Sequence, residues 1–320
     1  MFENEEVLLE AKHIVKQFPA SGGRVLTACN DVNLKVYKGK TLGIVGESGC
    51  GKSTFVRMLL SLDKPTSGEI LYHGKNLTGL SPKETWENRQ NIQMVFQDPL
   101  ASFNPKMKIV DILTEPLRNY GRLKRKDKEA KAKELLEMVE LPADFLYRYP
   151  HNMSGGQRQR VSIARALSLE PEILVCDEAT SALDVSVQKT VIELLVKLQK
   201  EKNISMVFIC HDLALIQSFA HQIAVMYLGR MVELLDSEDL EQKCCHPYTK
   251  ALLNSVFDVY CDQKAEIHLL EGDPPSPLQV QKGCAFASRC PRCQEKCKSS
   301  LPKLETVGEG HLAACFYPEA

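Results

Sequence analysis

Apolar and polar positions alternate with a period of two through much of the first forty residues, notably at 7–9 and 32–36, with a turn-prone Ser21-Gly22-Gly23 between them. That alternation predicts a small antiparallel sheet. The pattern then changes. A short apolar strand at 41–45 runs into a glycine-rich turn, and 55–62 has helical spacing. Further strands are expected at 92–96, 173–176 and 205–210, and helices at about 109–140, 154–169 and 187–200. Strands alternating with helices predict an α/β fold with a parallel sheet wrapped on both faces. From about 241 the texture differs, because Pro274, Pro275 and Pro277 interrupt helix and strand alike and a cysteine-rich tail follows. A boundary is expected near 240, giving domains 1–240 and 241–320, with no internal repeat.

Composition narrows the class. With 320 residues, 44% of them hydrophobic, the chain can bury a large core. Its 40 Lys+Arg against 41 Asp+Glu leave a net charge of −1, so no nucleic acid held by bulk charge is expected as a partner. The longest uncharged run, 213–229, contains Gln217, His221 and Gln222, and it falls short of the roughly 20 apolar residues of a spanning helix. The first ten residues are acidic where a secretory signal would be basic and then apolar, so a cytosolic chain is expected. The basic stretch 122–133 reads as a solvated helix face. Of twelve cysteines, five fall between Cys284 and Cys315. Disulfides are rare in the cytosol, so such a cluster points to metal or an iron–sulfur centre. Cys29, Cys176 and Cys210, inside apolar runs, read as core packing.

GESGCGKST at 46–54 fits the phosphate-binding pattern G-x-x-x-x-G-K-[ST], and its flanks read as strand before and helix after. Gly46, Glu47, Ser48, Gly49, Cys50, Gly51, Lys52, Ser53 and Thr54 are therefore the expected phosphate cradle. Backbone N–H groups and a helix N-terminus turn inward, Lys52 reaches the β- and γ-phosphates, and Ser53 offers its hydroxyl to Mg²⁺. The run ILVCDE at 173–178 is an apolar strand ending in two carboxylates. Buried carboxylates need a cation or polar partner. Asp177 is placed for Mg²⁺, and Glu178 for polarising the water that attacks the γ-phosphorus.

MSGGQRQR at 153–160 resembles the signature of ATP-binding cassette ATPases. The resemblance, over about 7–240, implies a RecA-like core with an N-terminal antiparallel β-subdomain, an inserted helical subdomain at about 98–168, and a small cysteine-rich C-terminal domain. It implies that Ser154, Gly155, Gly156 and Gln157 meet the γ-phosphate of ATP held by a partner cassette. Gln97 matches the metal-sensing Q-loop, 181–184 the D-loop, His211 the switch histidine that holds water and Glu178 in line, and Phe18 the ring stacked on adenine. Glu178, His211 and Gln97 are thus the expected catalytic residues, with Ser53, Gln97 and Asp177 around Mg²⁺.

The segments 91–107, 148–157 and HPYTKALL at 246–253 resemble the dipeptide and oligopeptide importer subfamily, its F-type subunit most closely. That implies ATP-driven peptide import on the cytoplasmic face of the membrane. The implied partners are a related ATPase, two permeases and an external solute-binding protein. Ala179-Thr180 departs from the peptide-importer pattern, and Ala179 also occurs in nickel-importer relatives, which leaves nickel or another solute open as cargo; the other alternative is a soluble cassette ATPase acting on nucleic acid or ribosomes. In the resembling proteins, cysteines spaced like Cys284, Cys290, Cys297 and Cys315 bind a [4Fe–4S] cluster. Zinc and metal-free thiols are the alternatives, because thiolates suit either metal centre. Cys293 is then the spare, and Arg289, Arg292 and Lys296 would offset the charge of a cluster.

Overall fold

The computed structural model describes residues 5–254, 272, 275–276, 278 and 282–319. Pro274 and Pro277, on which part of the expected interdomain break rests, lie outside the described residues. The chain forms two compact units, one from Met1–Leu80 with Phe208–Ala320 and the other from Ser81–Val207.

In the first unit, strands β1 (Val7–Pro19) and β2 (Val25–Tyr37) form the expected antiparallel pair. The period-two pattern points Leu9, Ala11, Val32, Leu34 and Val36 into the core, and a register shift after Ala11 brings Ile14 in as well. A fully buried strand β3 (Thr41–Val45) runs through the glycine-rich turn into helix α1 (Lys52–Leu59). Strands β4 (Ser67–Tyr72) and β5 (Lys75–Asn76) complete a four-stranded sheet of order β2-β1-β4-β5.

The second unit opens with α2 (Pro82–Asn88), capped by a reciprocal Ser81–Glu84 box. Strand β6 (Ile92–Val95) and the short helix α3 (Pro99–Ser102) follow. The region expected to be helical, about 109–140, holds two helices, α4 (Ile109–Asn119) and α5 (Lys128–Met138). Tertiary anchoring divides them. Tyr120 leaves α4 to stack on Trp86 at 4.1 Å, and Arg122 reaches back to Gln90 and the Leu169 carbonyl. Helix α6 (Gly155–Leu167) leads to β7 (Ile173–Asp177), which pairs parallel to β6, and α7 (Val185–Lys202) follows.

Strand β8 (Ser205–Cys210) returns the chain to the first unit, followed by α8 (Leu213–Gln217), β9 (Gln222–Tyr227) and β10 (Arg230–Asp236). Here the all-parallel expectation fails. β9 is parallel to β3, but β10 is antiparallel to β9. Leu228 and Gly229 both have positive φ, the two-residue turn that reverses a chain into a hairpin. Helices α9 (Leu240–Lys243), α10 (Pro247–Asn254) and α11 (Glu295–Ser299) precede a last hairpin, β11 (Glu305–Gly308) and β12 (His311–Ala313). β12 pairs antiparallel with β10, so the tail extends a mixed sheet. Cys29, Cys176 and Cys210 are buried as expected, and burial pushes the thiols of Cys29 and Cys176 up to about 12. Among the described residues no helix is long and apolar enough to cross a membrane.

Candidate active site

The phosphate loop connects β3 to α1 as the sequence predicts. Its backbone fits only glycine at two points. A Cβ on Gly46 would lie 2.1 Å from the Met226 carbonyl oxygen, and one on Gly51 2.2 Å from that of Ala28, both at positive φ. Gly51 caps α1, so the first N–H groups of that helix open onto the loop. Lys52 is only 4% exposed, and its Nζ donates to the carbonyl oxygens of Gly46 at 2.7 Å and Glu47 at 2.9 Å. The sequence placed this ammonium on phosphates; its protein partners are the carbonyls of the loop itself. Cys50 Sγ lies 3.8 Å away, and burial raises that thiol's pKa. Phe18, near the end of β1, is exposed, with Lys16 Nζ 5.0 Å from its ring centre. His211 follows β8 in the same unit, just before Asp212, whose carboxylate accepts the Leu215 N–H and caps α8.

In the second unit, Asp177 ends β7 half-buried, and Glu178 follows with φ of +47°. A left-handed backbone at a non-glycine residue is a strain that persists only where its surroundings impose it. Gln97 Nε2 donates to Glu178 Oε2 at 2.7 Å, and Ser181 donates its hydroxyl to the Glu178 carbonyl at 3.0 Å. The sequence brought Gln97 and Glu178 to one site for separate tasks, but their direct bond had no signal in it. Ser154 caps α6 in a reciprocal box: its hydroxyl accepts the Gln157 N–H, and Gln157 Oε1 accepts the Ser154 N–H. Gly155 and Gly156 open the helix. Gly156 also has a packing reason, since a Cβ there would lie 2.4 Å from Val187 Cγ1 on α7. Ser53, Asp177 and Gln97 offer hydroxyl, carboxylate and amide oxygens, the hard donors that suit Mg²⁺.

The family model described as ABC transporter matches residues 29–181, and that of the oligopeptide/dipeptide transporter C-terminal region matches 232–297. The oligopeptide transport ATP-binding protein OppF of Salmonella typhimurium is 45% identical over 99% of this chain and 98% of its own length. AppF of Bacillus subtilis, with the same description, is 43% identical over 98% of each. The chain belongs to the ABC transporter family. It is an ATP-binding cassette ATPase. A solved post-hydrolysis dimer of the cassette MJ0796, bound to ADP and Pi, superposes with a TM-score of 0.66 at 31% identity, covering 72% of this chain and 99% of that one.

The tail of this cassette departs from expectation. Cys284, Cys290, Cys297 and Cys315 do line one cleft, and Cys293 is not among its lining residues. The iron–sulfur assignment is nevertheless corrected. The cassette's relatives are named as oligopeptide transport ATP-binding proteins, with no iron–sulfur designation. Among the described residues, the donor atoms gathered closely enough for one ion, within 4.8 Å, are those of Glu233, Cys245 and His311. None of the four tail cysteines belongs to that group, and the zinc alternative for them is likewise without support. Burial pushes the Cys284 thiol up to about 11 and raises Cys290 and Cys315, which favours neutral thiols.

Arg289, assigned above to offset a cluster's charge, instead makes a bidentate pair with Glu47 of the phosphate loop, at 2.8 and 3.0 Å. Tyr248 of the HPYT segment accepts the Glu47 N–H at 2.9 Å. These contacts span 242 and 201 positions of sequence. The nearest signal was the HPYT resemblance, and it named no target.

Proposed function

We propose that this cassette is the ATP-hydrolysing subunit that energises import of oligopeptides, peripheral to the cytoplasmic face of the membrane. The observation that carries this reading is near-complete coverage, at 43–45% identity, by relatives named for oligopeptide transport, with the tail matching the oligopeptide/dipeptide transporter C-terminal region. Those names do not favour nickel as cargo. Residues 1–240 form the cassette, with its helical subdomain at about 98–168, and 241–320 form the C-terminal domain. The partners are a related ATPase, two membrane permeases and a solute-binding protein.

In this reading Phe18 stacks on adenine, and Lys52 with the loop N–H groups meets the β- and γ-phosphates. Mg²⁺ held by Ser53, Gln97 and Asp177 would supply positive charge against the developing phosphoryl charge. Glu178 accepts a proton from the attacking water, Gln97 orients Glu178, and His211 holds the water in line. Ser154, Gly155, Gly156 and Gln157 complete the site of the opposing cassette, which supports a working dimer.

Reconstituted with its permeases, the complex is expected to hydrolyse ATP faster when peptide-loaded binding protein is added. Glu178→Gln should bind ATP yet hydrolyse it at least ~10²-fold more slowly. Peptide-independent turnover, or near-normal turnover of the variant, would refute the cargo or the base respectively.

A further inference from the structure

Glu47 is held at three points. Its carbonyl accepts from Lys52, its N–H is taken by Tyr248 Oη, and its carboxylate is clamped by Arg289. Two of the three grips come from the C-terminal part of the chain. The Arg289 side chain is only 5% exposed, and that of Glu47 is 24% exposed. Arg289 also donates to Tyr227 Oη at 3.4 Å. Behind it, Phe286 packs edge-on against Tyr227 at 5.3 Å and at a tilt of 57° against Tyr248 at 5.4 Å. The backbone that carries Arg289 is pinned in turn, since the Cys284 N–H donates to the Cys297 carbonyl at 2.7 Å and Gly283 packs against the same carbonyl.

The charge at this point is paradoxical. An anion-binding loop carries a carboxylate, which would repel the phosphates it is built to receive. A planar guanidinium bonded to both carboxylate oxygens cancels that charge and fixes the loop's geometry together. We propose that Arg289 is a positioning residue for nucleotide binding: it neutralises Glu47 and sets the phosphate loop, so the folded tail raises the affinity for ATP. The coupling is reciprocal, so bound nucleotide must also tighten the tail. This rests on the reading of 46–54 as the ATP site, which Lys52→Ala tests separately.

The experiment uses the full chain and a fluorescent ATP analogue with Mg²⁺. Arg289→Ala should weaken binding by roughly tenfold, within the usual range for coupled sites. In the assembled transporter it should raise KM for ATP more than it lowers kcat. Arg289→Lys, which keeps charge but loses the fork, should fall between. The decisive variant is Glu47→Gln with Arg289→Ala, which removes the uncompensated carboxylate and should bind more tightly than Arg289→Ala alone. A purely structural role for Arg289 would show no such rescue, and its absence overturns the proposal, as would unchanged affinity in Arg289→Ala. Hydrogen exchange on the wild type needs no variant to fold. Amides at 284–297 should exchange more slowly with Mg·ATP present, and an unchanged rate would refute the coupling. If Lys52→Ala abolishes binding while these effects are missing, only this inference fails; if Lys52→Ala binds normally, the site itself is misread.

Discussion

Glu178 and His246 show how single residues are set by what surrounds them. At Glu178 the left-handed backbone and the Gln97 amide hold the carboxylate in one orientation before any substrate arrives. His246 is set by burial. It is 1% exposed, its Nδ1 accepts the Tyr248 N–H at 3.1 Å, and burial lowers its pKa to about 4 from an ordinary 6.5. A protonated Nδ1 cannot accept that bond, so the fold favours the neutral ring. The sign follows: above pH 6.5 neither folded nor unfolded ring is charged, and the full stabilisation is present. As pH falls from 6.5 toward 4 the unfolded ring takes its proton first, and stability is lost by about 3 kcal/mol in all. His246→Asn keeps an acceptor near Nδ1 and cannot titrate. Urea unfolding midpoints at pH 7.5 and pH 5 should therefore differ less for this variant than for the wild type. An equal drop in both would assign the pH dependence to another group.

At the scale of elements, packing explains residues that motif chemistry alone would assign to ligand. Gly156 belongs to the signature segment, yet its missing Cβ is what lets α6 lie against Val187 of α7. Gly156→Ala should cost about 1–3 kcal/mol by overpacking. Adding Val187→Ala should recover most of that loss if the clash is the cause, and a thermal melt of the pair decides it. The strand–loop–helix from β3 to α1 and the carboxylate-ended β7 were legible in the sequence, because apolar runs stop at residue types with narrow chemical uses. The β9–β10 hairpin was not. Its strands fall in and beside the uncharged run 213–229, where apolar texture gives no direction of pairing, and the reversal depends on φ at Leu228 and Gly229. The helical reading of 109–140 held, but the break between α4 and α5 was not legible for a related reason, since Tyr120 and Arg122 are drawn away by partners distant in sequence. Arg289 illustrates the limit most plainly. Its charge was visible, but nothing local says that Glu47, 242 positions earlier, receives it.

Across the whole chain, one buried carboxylate ties several parts of the tail to the sheet, beside the β10–β12 pairing and the Arg289–Glu47 clamp. Glu233 on β10 is fully buried, and its Oε1 accepts the N–H groups of Cys245 at 2.7 Å and His246 at 3.2 Å. The same oxygen lies 2.8 Å from His311 Nε2 on β12, whose Sγ neighbour is Cys245 at 3.6 Å. A three-residue strand such as β12 has little pairing of its own, so a short edge hairpin needs such an anchor. Removing the carboxylate leaves buried donors without an acceptor, which is worse than never having had the pair. Glu233→Ala is therefore expected to destabilise the chain by about 3–5 kcal/mol and to open the tail to proteolysis. Glu233→Gln retains an acceptor oxygen for the two backbone N–H groups and should cost less. Because the tail carries Arg289 to Glu47, Glu233→Ala should also weaken ATP binding below the melting transition, whereas a pure stability defect would leave the folded fraction with normal affinity. A melting temperature equal to wild type would remove Glu233 as the anchor. A lowered one with unchanged affinity would confine its effect to the tail.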